Sequence, residues 1–329
     1  MKSLLSTRQL SRVILKNVGE CREGSGVGLI RCYTSTNNLE FISGNPHSDL
    51  QLTYVSYERG NDASTKPPIL LHHGLFGRKE NWTKTGKALN HLTKRNVIIP
   101  DARNHGNSPS SHEMTNKQMS GDIVRLLSSL NVAKTSFIGH AIGGRIGMYT
   151  ALTRPDLVDK LVCVASSPLN SVRVFEKWEQ IRQACYVIQT LAASYKSGSI
   201  ELLNSMEFRM DAENALKLVI PVQAERALFI SNLGQVNHMA ILANPDLAKF
   251  PNMESFCFKK PTLFMCGDDA LSWQNEKDIQ SIRQLFPNAC FVKIAGAGKC
   301  IHLDQPEEFL QAITTFLETD FEPSSFGTP

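Results

Sequence analysis

The chain has 329 residues, 42% of them hydrophobic and 20% charged, enough apolar material for one large domain or two small ones. Its formal net charge of +4 is confined to residues 1–33, which hold six basic and two acidic side chains, while the remainder holds 29 of each. A basic excess limited to the leader gives no reason to expect a nucleic-acid partner, and without an apolar run of about 18 residues no membrane span is expected.

Residues 1–23 set Leu4, Leu5, Leu10, Val13, Ile14 and Leu15 among basic and hydroxylated side chains, and no acid precedes Glu20. This is the composition of an amphipathic mitochondrial transit peptide, and basic residues interrupt every apolar run that a secretory signal would need. Arg31-Cys32-Tyr33 followed by Thr34-Ser35 resembles a matrix-protease cleavage site. Residues 1–33 are therefore read as the leader and 34–329 as a single domain, with a matrix location; the bland alternative is a merely disordered N-terminus.

Through the body, residues 50–57 alternate like a strand, and 68–74, 96–100, 136–138, 160–165, 261–266 and 290–295 read as short buried strands. Residues 117–130 place Met119, Ile123, Leu126, Leu127 and Leu130 on one helical face. Apolar strands alternating with helices predict an α/β fold, a mostly parallel sheet covered on both faces. Residues 170–250 break the rhythm. Helical patterns over 175–193, 200–210 and 212–231, with no core strand, predict a helical lid over the C-terminal edge of the sheet. The eight cysteines form no C-x-x-C pair or metal-ligand spacing, so free thiols and no metal site are expected.

The most telling motif is Gly139-His140-Ala141-Ile142-Gly143, a G-x-S-x-G strand-to-helix turn with alanine at the serine position. With it come His72-His73-Gly74-Leu75-Phe76-Gly77, Asn104-His105-Gly106-Asn107-Ser108-Pro109 and Ile301-His302-Leu303-Asp304-Gln305-Pro306. In this order the four segments resemble the α/β-hydrolase superfamily. Within it they are similar to the mitochondrial α/β-hydrolase-domain proteins, small bacterial esterases and the fungal ethanol acetyltransferase branch. The resemblance implies an α/β-hydrolase fold and serine-triad acyl transfer: an esterase, thioesterase or alcohol acetyltransferase. The ligand would be a small acyl ester or acyl-CoA, with acetyl-CoA as substrate rather than cofactor, and water or a short alcohol as acceptor. It also implies an oxyanion hole from the backbone N–H groups of Leu75 and Ile142.

The same resemblance assigns the triad to three substituted positions: the nucleophile at Ala141, the acid at Ala165 and the histidine at Lys299. Three replacements favour a naturally degenerate site over a laboratory substrate trap, and hence a mitochondrial acyl-transfer protein impaired in catalysis; the alternative is a non-catalytic protein binding an acyl ligand or a protein partner. Rescue would need other groups: Asp268 or Asp269 as acid, His302 as base, or Cys300, Ser166 or Ser167 as nucleophile. His72, His73, His105 and His140 are expected to fix loops through hydrogen bonds. A cofactor-using α/β enzyme is disfavoured, since no G-x-G-x-x-G follows the first strand and no P-loop is present.

Overall fold

Eight strands form one sheet in a computed structural model that describes residues 30–33, 50–60, 63–195, 200–268 and 273–319. They are β1 (Ile30–Tyr33), β2 (Tyr54–Tyr57), β3 (Ile69–His72), β4 (Val97–Pro100), β5 (Thr135–His140), β6 (Val158–Val164), β7 (Thr262–Cys266) and β8 (Ala289–Lys293). The order across the sheet is β1-β2-β4-β3-β5-β6-β7-β8. β2 runs antiparallel to both β1 and β4, and the rest are parallel. Thus β1 lies inside the stretch read as leader, and a chain cut after Tyr33 would have β2 as its edge.

The parallel strands are apolar along their length because both faces are covered. Leu70, Phe137, Leu161 and Phe264 pack on one face with Ile123 and Leu127 of α2 (Asn116–Ser129) and Ile146 of α3 (Ile142–Thr153). Ile69, Leu71, Ile138 and Val162 point the other way, onto Leu89 of α1 (Thr83–Thr93) and Phe309, Ile313 and Phe316 of α11 (Pro306–Glu318). Each such fully buried side chain contributes roughly 1.5–3 kcal/mol. The helix starts are locally encoded. Thr115 Oγ1 accepts from Gln118 N at 3.3 Å while Gln118 Oε1 accepts from Thr115 N at 3.0 Å, a reciprocal box that opens α2. α11 begins with Pro306, Glu307 and Glu308, a rigid φ followed by acids at the positive end of the helix dipole.

Between β6 and β7 the chain makes α4 (Val172–Ser194), α5 (Ile200–Asn204), α6 (Met206–Leu216), α7 (Gln223–Ser231) and α8 (His238–Ala243). α4 covers the expected 175–193 and extends it at both ends, whereas each of the other two expected helices is divided. Residues 200–210 divide at Ser205, whose hydroxyl caps α6 by accepting from Phe208 N at 3.2 Å. Residues 212–231 divide before Pro221, which has no N–H to continue a helix and disfavours helical backbone in the residue preceding it. The expected 50–57 strand is regular only over Tyr54–Tyr57. After β7 come α9 (Glu276–Leu285), β8 and the short α10 (Ile301–Asp304).

Polar contacts tie the two feet of the helical insertion together. Asn170 Nδ2 donates to the Phe250 carbonyl and Asn170 Oδ1 accepts from Phe250 N, each at 2.8 Å. Arg145 of α3 donates to the carbonyls of Leu169 (3.1 Å) and Ala248. On the body, buried Arg103 makes a two-pronged pair with buried Asp122 of α2 (2.6 and 2.8 Å), and also donates to the Glu113 carbonyl. Removing one partner would leave an uncompensated buried charge. Asp122→Ala is therefore expected to lower stability by about 3–5 kcal/mol, read as a drop in urea midpoint at unchanged slope; a midpoint within error of the native chain would show that the pair does not anchor this loop.

Candidate functional site

The site is built on the turn between β5 and α3. Ala141 adopts φ +51° and ψ −115°, a conformation that places its Cβ at the top of the sheet and costs on the order of 1–2 kcal/mol for a residue other than glycine. The flanking glycines are demanded by packing. A Cβ on Gly139 would meet the Gly143 carbonyl oxygen at 2.3 Å, and a Cβ on Gly143 would meet the His72 and His73 carbonyl oxygens at 2.5 and 2.6 Å. Helix, strand and neighbouring strand are therefore in backbone contact at this point. Ile142 opens α3, and its N–H lies at the positive end of the helix dipole.

The loop carrying Leu75 is held by neutral histidines. His73 donates from Nδ1 to the Gly74 carbonyl (2.8 Å) and accepts at Nε2 from Ala102 N (2.9 Å). His105 donates from Nδ1 to the Arg103 carbonyl (2.9 Å) and accepts at Nε2 from Phe76 N (3.3 Å). His72 Nδ1 donates to the His73 carbonyl at 2.9 Å, and His140 Nε2 to the Lys299 carbonyl at 3.0 Å. All four fix backbone, as expected from the sequence. Asp101, fully buried, accepts from Lys79 N (2.7 Å), Asn107 N (3.0 Å) and Thr53 Oγ1 (3.1 Å) and pairs with the Lys79 ammonium at 2.5 Å. It joins the loop after β3 to the loop after β4. Among the described residues, the N–H groups of Leu75 and Ile142 donate to no protein acceptor.

A cavity of about 170 Å³ opens above the turn. Ala141, Ala165, Ser166 and Ser167 form its floor, and Leu75, Ile142, Lys299 and Cys300 its walls. The insertion closes it with Trp178, Ile181, Ile220 and Phe229, and Phe229 packs on Phe76 with ring centroids 4.2 Å apart. The three triad positions of the resemblance, Ala141, Ala165 and Lys299, thus line one cavity together with Leu75 and Ile142, the two residues from which it implies an oxyanion hole. Ala165 repeats the backbone of Ala141, with φ +48°, at the end of β6.

The rescue candidates divide. His302 does not line the cavity: it is buried, stacked on Trp82 with centroids 4.1 Å apart and edge-on to His140 at 5.2 Å. Its position one turn into the segment turns it toward the aromatic cluster around Phe309. Asp268 is exposed and accepts from Gly296 N at 2.7 Å, with Lys293 at 3.3 Å, so it serves the loop rather than a base. Asp269 lies outside the described residues. Cys300 reaches the cavity, but burial pushes its thiol above the ordinary range, away from the reactive thiolate. Ser166 lines the floor with an unpartnered Oγ, and no histidine is hydrogen-bonded to it.

Sequence reasoning missed Arg145, Lys177, Trp178 and Glu225, which also line the cavity. Arg145 was legible in principle, one helical turn after Ala141. Lys177 of α4 and Glu225 of α7, 48 positions apart, meet only in the tertiary structure, where they pair at 2.5 Å.

The model of the α/β hydrolase fold matches residues 67–186. The chain is 31% identical over 318 residues to the sn-1-specific diacylglycerol lipase ABHD11 of Danio rerio, an alignment covering 90% of this chain and 95% of the relative. It is 23% identical over 304 residues to ethanol acetyltransferase 1 of Wickerhamomyces anomalus, covering 83% and 74%. Among solved structures, a marine microorganism esterase superposes with a TM-score of 0.65 at 25% identity, covering 81% of this chain and all but 1% of its own, 99%.

The buried histidines make stability pH-dependent. Burial pushes His72, His140 and His238 down to about 4, the nearby charge of Lys299 adding to the effect at His140. The unfolded chain takes up these protons below about pH 6.5 while the native chain refuses them until about pH 4. Their contribution is complete above pH 6.5 and is lost as the pH falls through that window, by up to roughly 3 kcal/mol per histidine. The urea midpoint is expected to fall steeply between about pH 6.5 and pH 4.5; a flat profile there would contradict neutral, buried imidazoles.

Proposed function

Because the chain belongs to the α/β-hydrolase family, we propose that it binds an acyl ligand in the lidded cavity and does not turn it over through a covalent acyl-enzyme. The carrying observation is Ala141: the backbone turn that presents a nucleophile is intact, and the side chain it presents is a methyl group. In this family a serine oxygen attacks an ester or thioester carbonyl, a histidine takes its proton, and an acid orients the histidine. Ala141 supplies no oxygen, Ala165 no carboxylate, and Lys299 no imidazole. Loss of the nucleophile alone costs about 10⁶-fold in turnover, and loss of its partners then adds little.

The apolar lid and the unpaired N–H groups of Leu75 and Ile142 support retention of acyl binding. An acyl-transfer reading, with acetyl-CoA as donor and a short alcohol as acceptor, draws on the likeness to the ethanol acetyltransferase. It requires a nucleophile at position 141, and the acyl-binding reading is preferred for that reason. The leader supports a place in the mitochondrial matrix, through spaced basic residues and the lack of any acid before Glu20.

Purified protein is expected to give no labelling with a fluorophosphonate probe and no burst with p-nitrophenyl acetate. Ala141→Ser combined with Ala165→Asp and Lys299→His is expected to raise hydrolysis by on the order of 10³-fold. Labelling of the native chain that disappears on Ser166→Ala, Ser167→Ala or Cys300→Ala would instead establish a relocated nucleophile and end the non-covalent reading. Residues 1–33 fused to a fluorescent protein are expected to direct it to mitochondria; diffuse cytosolic signal would remove the matrix assignment.

A further inference from the structure

The cavity carries more positive charge than its own carboxylate balances. Arg145, Lys177 and Lys299 line it with one acid, Glu225. Glu225 is engaged by Lys177 at 2.5 Å. Arg145, buried, gives its hydrogens to the Leu169 and Ala248 carbonyls, which satisfy its donors and leave its charge uncompensated. Among the described residues, the half-buried Lys299 ammonium forms no ion pair and no hydrogen bond. Burial, with Lys177 and Arg145 adding their repulsion and Glu225 opposing it, pushes Lys299 below the usual lysine range.

Buried polar atoms in the same lining are also without partners. Ser166 Oγ on the floor and Trp178 Nε1 in the lid make no hydrogen bond, although the two residues are only 5% and 8% exposed. With the free N–H groups of Leu75 and Ile142, donors outnumber acceptors around an otherwise apolar chamber. Buried polar groups in folded chains are normally satisfied, and unsatisfied ones in a cavity point to a polar group that enters it.

Relative to the family pattern, all three triad substitutions act in one direction. A serine oxygen occupies space beside the oxyanion hole, and Ala141 vacates it. An aspartate repels an anion, and Ala165 removes that charge. A histidine is largely neutral at pH 7, which suits an enzyme that must release its acid product, and Lys299 replaces it with a cation. The changes that abolish ester chemistry thus convert the same place into a receptor for the acid.

We propose that the cavity holds an aliphatic carboxylate, with one oxygen at the Leu75 and Ile142 N–H groups, the other at the Lys299 ammonium, and the alkyl chain against Trp178, Ile181, Ile220 and Phe229. This rests on the acyl-binding reading above and names the ligand class as the free acid rather than its ester. Charge-assisted hydrogen bonds to both oxygens supply the preference, since an ester offers one carbonyl oxygen and no charge.

Calorimetric titration of the full-length chain at pH 7.5 with octanoate and with methyl octanoate separates the outcomes. Octanoate is expected to bind at least about tenfold more tightly than the ester. Lys299→Met is expected to abolish that preference, and Lys299→Arg to keep it. Ala165→Asp, an independent change on the cavity floor, is expected to weaken octanoate alone. Equal affinity of the native chain for acid and ester, or a preference that survives Lys299→Met, overturns the carboxylate assignment and leaves an acyl cavity. Binding of neither compound overturns the acyl-binding reading as well. The native comparison stands even if a variant fails to fold.

Discussion

The close approach of β5, β3 and α3 is the constraint on which the site depends. Gly139 and Gly143 bring three stretches of backbone within a distance that excludes a Cβ. The chain can pass from β5 into α3 there only through a residue with positive φ. That requirement belongs to packing rather than to the side chain at position 141. Ala141 meets it with φ +51°, and Ala165, just after β6, has φ +48°. The N–H groups of Leu75 and Ile142 are backbone groups set by the loop after β3 and by the turn, so the side chain at position 141 does not determine them.

Around that constraint lies a shell of buried polar groups with fixed partners. Asp101 and the neutral His73 and His105 hold the loops after β3 and β4 against one another. Their donors and acceptors are consumed by backbone, which explains why so many histidines near the cavity do not become a base. His302 shows the same logic, stacked on Trp82 rather than aimed at the floor. The shape of the cavity is thus held in part by residues outside its lining, Asp101, His73 and His105 among them.

The lid is coupled to this core by one side chain. Arg145 rises from α3 and reaches the carbonyls at both feet of the insertion, bringing an unpaired positive charge to the cavity wall. In low dielectric such a charge is felt strongly by anything that enters. With Lys177 and Lys299 it gives the chamber lining three basic side chains against one acid, Glu225.

The apolar strands, the G-x-A-x-G turn and the HHG and NHG segments were legible in the sequence, because each rests on local periodicity or backbone sterics within a few residues. The motifs also pointed to Ala141, Ala165 and Lys299 as positions to compare, and all three line the cavity. Tertiary structure alone decided the rest. It paired β1 with β2, turned His302 away from the cavity, and brought Arg145, Lys177, Glu225 and Trp178 to it. Those choices depend on contacts between residues tens to more than a hundred positions apart, and the pattern along a chain carries the propensity of each segment but not which distant surface it will meet.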